Sequence, residues 1–241
     1  MRQFILSALL ASVALPAMAA DMPLKAPAPA PVFNTWTGFY VFGFGGYSWG
    51  RITPDDFFEV AEDSHGHLHN PRPKGGVFGF GGGYNHQWGQ LVGGVEVDYG
   101  FSSEKENQTF SQSVPEIVPI TETINLNSKI DALASARLRL GYLVTPSFLF
   151  YGTAGVGWGR SQLTVLDIFC VNKICDTTAT TGKQTHVGWV AGGGVEWQFT
   201  QHLRLRGEAL YFDFGSTTIG NLGINAKTTD VLARGALIWN F

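Results

Sequence analysis

The chain has 241 residues and a formal net charge of −3, with 15% charged residues against 44% hydrophobic ones and 31 glycines. Soluble domains carry about a quarter of their residues as Asp, Glu, Lys and Arg, so a normal water-exposed surface is short of charge here. No basic patch stands out, which argues against nucleic acid as a partner.

The chain opens on MRQFILSALLASVALPAMAA. One Arg, an apolar run from Phe4 to Leu15 and the small-x-small pattern Ala17, Met18, Ala19 predict a secretory signal peptide over residues 1–19, cleaved after Ala19 or Ala20. The run is too short to anchor as a membrane helix, and a Pro breaks it. Its removal takes away Arg2, so the mature charge becomes −4. Residues 20–35, DMPLKAPAPAPVFNTW up to its final Trp, alternate Pro and Ala and predict an extended periplasmic linker. Residues 36–241 remain as a single domain, long enough for one all-β barrel or sandwich.

Apolar alternation then recurs in eight segments, at 36–49, 75–87, 91–101, 128–143, 148–159, 184–199, 203–214 and 226–241. Several exceed a typical globular strand and match the roughly 9–11 residues of a tilted membrane-crossing one. Three connections are tight, around QWGQ, VTPS and TQH; the other four, 50–74, 102–127, 160–183 and 215–225, are long and polar. Short turns on one side and long loops on the other are the asymmetry of an outer-membrane barrel. The expected fold is all-β: an eight-stranded antiparallel transmembrane β-barrel with three short periplasmic turns and four long extracellular loops.

The faces separate cleanly in four segments. Leu91, Val95, Val97 and Tyr99 oppose Glu96 and Asp98; Ile130, Ala132, Ala134, Ala136, Leu138 and Leu140 oppose Lys129, Asp131, Ser135, Arg137 and Arg139. Val187, Trp189, Val195 and Trp197 oppose His186 and Glu196, and Leu203, Leu205 and Tyr211 oppose Arg204, Arg206 and Glu208. The first segment, GFYVFGFGGYSWG, is apolar on both faces and leaves its orientation open. A secreted soluble carrier would bury the apolar faces, whereas a membrane barrel turns them to lipid. Export, low charge, segment length and aromatics near segment ends, among them Trp36, Trp49, Tyr142, Trp197 and Trp239, favour lipid.

The stretches WTGFYVFGFGGYSWG, GGVEVDYG, ARLRLGY, YGTAGVGWG, AGGGVEW and ARGALIWNF resemble the small outer-membrane β-barrel proteins of alphaproteobacteria, the porin-like, opacity-type surface antigens, distantly related to the OmpA transmembrane barrel. The resemblance covers essentially the whole chain. It implies a Gram-negative outer-membrane location and a structural, surface-exposed envelope role. It also implies as partners outer-membrane lipid or lipopolysaccharide, the barrel assembly machinery, and host or envelope molecules met through the loops. Relatives of this kind end in an assembly signal, which Trp239 and Phe241 fit, although the upstream Gly falls at Gly235 rather than at Ala236.

The inward charges Glu96, Asp98, Lys129, Asp131, Arg137, Arg139, Glu196, Arg204, Arg206, Glu208, Asp230 and Arg234 are of mixed sign. In a narrow lumen they are expected to pair into a closing salt-bridge network, because an unpaired buried ion is very costly. The alternative is a narrow pore. His65, His67 and His69, beside several acids in the first long loop, offer a heme or divalent-metal site against the plainer reading of a polar surface loop with no cofactor. Cys170 and Cys175 are expected to form a disulfide in an exported protein. No enzyme is expected: Ser135 with His186 is the pair one can imagine, and nothing in the sequence brings them together.

Overall fold

The computed structural model describes residues 36–54, 71–114, 120–172, 174–219 and 224–241. The expected signal peptide, the expected linker and His65, His67 and His69 lie outside these residues.

Eight strands follow one another: β1 (Gly38–Pro54), β2 (Lys74–Trp88), β3 (Leu91–Val114), β4 (Ile120–Thr145), β5 (Phe148–Val171), β6 (Ile174–Gln198), β7 (Leu203–Ile219) and β8 (Ile224–Asn240). Each pairs antiparallel with the next, and β1 closes on β8 from Tyr40↔Asn240 to Pro54↔Ala226, giving a closed barrel. There is no helix among the described residues. Closure leaves no unpaired edge at membrane depth, where lipid offers no hydrogen bonds.

The alternation sorts side chains as period two requires. Outward, Phe39, Phe78 and Leu138 are 67%, 64% and 68% exposed, within a continuous belt of aromatic and aliphatic side chains. Such a belt is far larger than a monomeric soluble protein displays and matches a lipid-facing wall. Trp88, Tyr142, Phe148, Trp197 and Trp239 ring the short-turn end; Trp49, Tyr99, Trp158, Trp189 and Tyr211 ring the other. The turns at the lower end are Gly89-Gln90, Pro146-Ser147 and residues 199–202, and Gly89 takes φ +61°, a conformation open to Gly at little cost.

The open question of β1 is resolved: Phe39, Val41, Tyr47 and Trp49 face out, while Tyr40, Phe42, Phe44 and Ser48 are buried inside. A strand apolar on both faces is accommodated because its inner aromatics lie on bare backbone of β2. Phe42 pairs with Gly81, where an added Cβ would come within 2.4 Å of the Phe42 ring. Phe44 stands likewise over Gly79.

Three expectations need correction. The long polar connections are largely continued strand: β3 and β4 stay paired from Glu104↔Ile130 up to Val114↔Ile120, and β5 and β6 stay paired up to Val171↔Ile174. Their Thr, Val and Ile content suits a pleated ladder, and polarity on both faces is what strands above a membrane require. Second, Lys129 and Asp131 do not face the lumen. The register shift at Ile130/Ala132 marks a β-bulge on β4, which exchanges the two faces of that strand beyond it. Ile130 therefore turns inward and is buried, and Lys129 turns outward. Third, Trp36 is not a girdle residue. It is 3% exposed, folded under the lower mouth, where its backbone N–H donates to Gln87 Oε1 and its indole N–H donates to the Pro146 carbonyl.

Candidate functional site: the charged lumen

The lumen is built from cross-strand neighbours that carry opposite charge. Glu96 on β3 stands opposite Arg137 on β4, Glu196 on β6 opposite Arg206 on β7, and Glu208 on β7 opposite Arg234 on β8. In each pair both residues occupy inward positions, so alternation alone brings acid and base together.

The longer contacts run from wall to wall. Arg206 donates to both oxygens of Glu96, at 2.9 and 2.6 Å, and through Nε to Glu196 at 2.9 Å. The two-pronged grip is the strong geometry for a guanidinium on a carboxylate. Arg137 donates to Glu96 at 2.5 Å, Asp98 at 2.7 Å and Glu208 at 2.9 Å. Arg139 spans Glu196 at 2.5 Å and Glu96 at 3.2 Å. Arg234 binds Glu208 at 2.7 Å and Asp98 at 3.1 Å, and Arg204 binds Glu196 at 3.1 Å. Five guanidiniums thus share four carboxylates, and no side chain of the nine is more than 4% exposed.

Aromatic side chains complete the shell. The Tyr40 hydroxyl donates to Glu96 at 2.7 Å, and the Tyr151 hydroxyl donates to Glu208 at 2.8 Å. Arg139 lies 4.1 Å from the Tyr151 ring centre, Arg234 4.3 Å from Phe44 and Arg204 4.6 Å from Trp36. Cation–π contacts of this kind give the surplus positive charge a partner when the carboxylates are fully used.

Asp230 faces the lumen but stands apart from this cluster. Above the buried pair Leu210 and Leu232, and level with its cross-strand partner Phe212, it accepts from the Ser48 hydroxyl and faces Glu104. Glu104 is wholly buried and keeps the inward parity of Glu96 and Asp98; sequence reasoning missed it because the apolar alternation stops at Phe101 and residues 102–127 read as a loop. Lys129 and Asp131 pair with each other at 2.5 Å outside the lumen. Ser135 donates to Asp98 at 2.9 Å, and His186 Nε2 contacts Ser161 at 2.7 Å, so the structure gives these two residues separate partners. Cys170 and Cys175 are cross-strand partners joined by a disulfide at the tip of the β5–β6 hairpin. Trp239 faces outward on β8, and the Phe241 N–H donates to the Phe39 carbonyl across the closure seam.

A closed, eight-stranded antiparallel barrel with an apolar exterior, two aromatic rings and a polar interior defines an outer-membrane barrel protein. The chain belongs to the outer membrane protein beta-barrel domain family, whose family model matches residues 5–233. It is 30% identical to the 31 kDa outer-membrane immunogenic protein of Brucella melitensis biotype 1, with all of both chains covered. It is 32% identical to the 22 kDa outer membrane protein of Rhizobium leguminosarum bv. viciae, over 78% of this chain and 69% of that one. Among solved structures it is similar to neisserial surface protein A, at 13% identity and a TM-score of 0.46, over 85% of this chain and 98% of that one. The protein is therefore located in the outer membrane of a Gram-negative cell.

Proposed function

We propose that the protein is a structural, surface-exposed component of the envelope whose lumen is closed by the arginine–carboxylate cluster. The observation that carries this reading is the wall-to-wall span of Arg206, from β7 to Glu96 on β3, inside a set of nine side chains shielded from solvent. Separating these charges to admit an ion would leave carboxylates and guanidiniums unpaired in a low-dielectric bore, at several kcal/mol each. Function then resides in the wall and in the surface hairpins rather than in transport.

The test is single-channel conductance of the refolded mature chain in a planar bilayer, alongside an Arg139→Ala variant. A folded protein that leaves the bilayer silent supports the closed lumen. Discrete conductance steps that the variant enlarges would overturn it and make the same charges the selectivity element of a narrow pore.

A further inference from the structure

On the outer wall, level with the upper aromatic ring, strand register sets cations in a row. Lys74 on β2 stands directly opposite Lys105 on β3, and Lys105 directly opposite Lys129 on β4. All three are exposed. Arg51 on β1 and Arg72, just before β2, are also exposed and extend the row.

Like charges set directly opposite one another in a sheet repel, so the row costs stability unless an anion lies across it. Two carboxylates stand within it among the described residues: Asp131, held by Lys129 at 2.5 Å, and Glu106, which accepts from the Arg72 backbone N–H. Five cations against two carboxylates leave a surplus of three.

Arg51, Arg72, Lys74 and Lys105 rim one open pocket of about 660 Å³, and Trp49, Tyr211 and Val231 line it as well. The pocket is cationic on one side, where Glu106 also lines it, and apolar on the other. Its height is fixed by Trp49, which is the cross-strand partner of Lys74 and belongs to the upper ring. Interfacial aromatics mark the headgroup level of a bilayer, and the paired hairpins continue outward from this end.

We propose that this face binds the phosphate groups of an outer-leaflet glycolipid. The headgroup phosphates lie across Lys74, Lys105 and Arg51, and an acyl chain runs down over Trp49, Tyr211 and Val231. Lysines meet phosphate as point charges, and the arginines supply forked donors. The site is independent of whether the lumen conducts.

The test uses the mature protein refolded in a zwitterionic detergent and titrated with fluorescent bis-phosphorylated lipid A. The same lipid stripped of both phosphates is titrated in parallel. The expected result is a preference of roughly tenfold or more for the phosphorylated form, lost in the R51Q/K74Q/K105Q variant. The Asp131→Asn variant, which removes a competing carboxylate, is expected to tighten binding. Equal binding of both lipids by the wild-type protein would overturn the proposal without recourse to any variant. So would a folded triple variant that keeps the preference. Inorganic phosphate that displaces the lipid at a similar concentration would overturn the lipid assignment in favour of a free anion.

Discussion

Arg206 holds two carboxylates from opposite walls, and its loss leaves both short of a partner in a dry interior. Arg206→Ala is expected to cost about 3–5 kcal/mol, the range for breaking a buried pair from one side. It should lower the temperature at which the compact, fast-migrating band on a gel converts to the unfolded one. Gly81 makes a second demand: a side chain there meets the Phe42 ring and the Val97 carbonyl, whereas Gly45 has open space around its outward position. Gly81→Val should abolish most of the heat-modifiable band, and Gly45→Ala should leave it unchanged. The inward parity of Glu96, Arg137, Arg139, Glu196, Arg204, Arg206 and Glu208 was legible from alternation alone. That of Lys129 and Asp131 was not, because a bulge adds one residue without altering the composition that alternation reads. Glu104 keeps the parity of Glu96 and Asp98 but lies beyond Phe101, where the apolar alternation that marks a strand stops. Trp36 escaped for a different reason. An aromatic preceding the first strand looks the same in sequence whether it rims the wall or folds beneath the mouth, and the contacts that decide it come from Gln87 on β2 and Pro146 in the β4–β5 turn.

At the level of elements, the strands were visible wherever one face met lipid and lost their signature where both faces met water. Ile120–Asn127, Ser161–Val171 and Ile174–Thr185 are strand throughout, yet their polar residues do not alternate with an apolar set. Their order comes from the ladder itself and from side-chain pairs such as Thr109 with Asn125 and Ser111 with Thr123, at 2.7 and 3.0 Å. The disulfide lies at the far end of one of these hairpins, with its cysteines five positions apart in sequence. Closing so short a loop constrains little of the unfolded chain, roughly 2 kcal/mol by chain entropy. Reduction should therefore leave the barrel's melting in detergent unchanged while admitting protease at the β5–β6 tip, a difference that limited proteolysis with and without reductant would display.

For the whole molecule, strand count, closure and the placement of charge inside and aromatics at the rims followed from segment length and period. The height of the wall did not. β7 pairs with β6 only as far as Asp213↔Trp189, and β2 pairs with β3 only as far as Lys74↔Lys105, while β3 to β6 continue upward as a four-stranded sheet. Replacing residues 107–126 with a two-residue turn should leave a folded, heat-modifiable barrel, since every pair below Glu106↔Ser128 remains in place. The raised sheet extends for roughly 40 Å along its strands, at about 3.3 Å per residue. Its described residues above Glu106 and Ser128 are exposed or half-exposed on both broad sides, and each side shows alternate residues drawn from four separate stretches of chain. An antibody that settles on one side would therefore read a mosaic, skipping every second residue. A linear peptide copied from any single strand would reproduce only one of those four stretches.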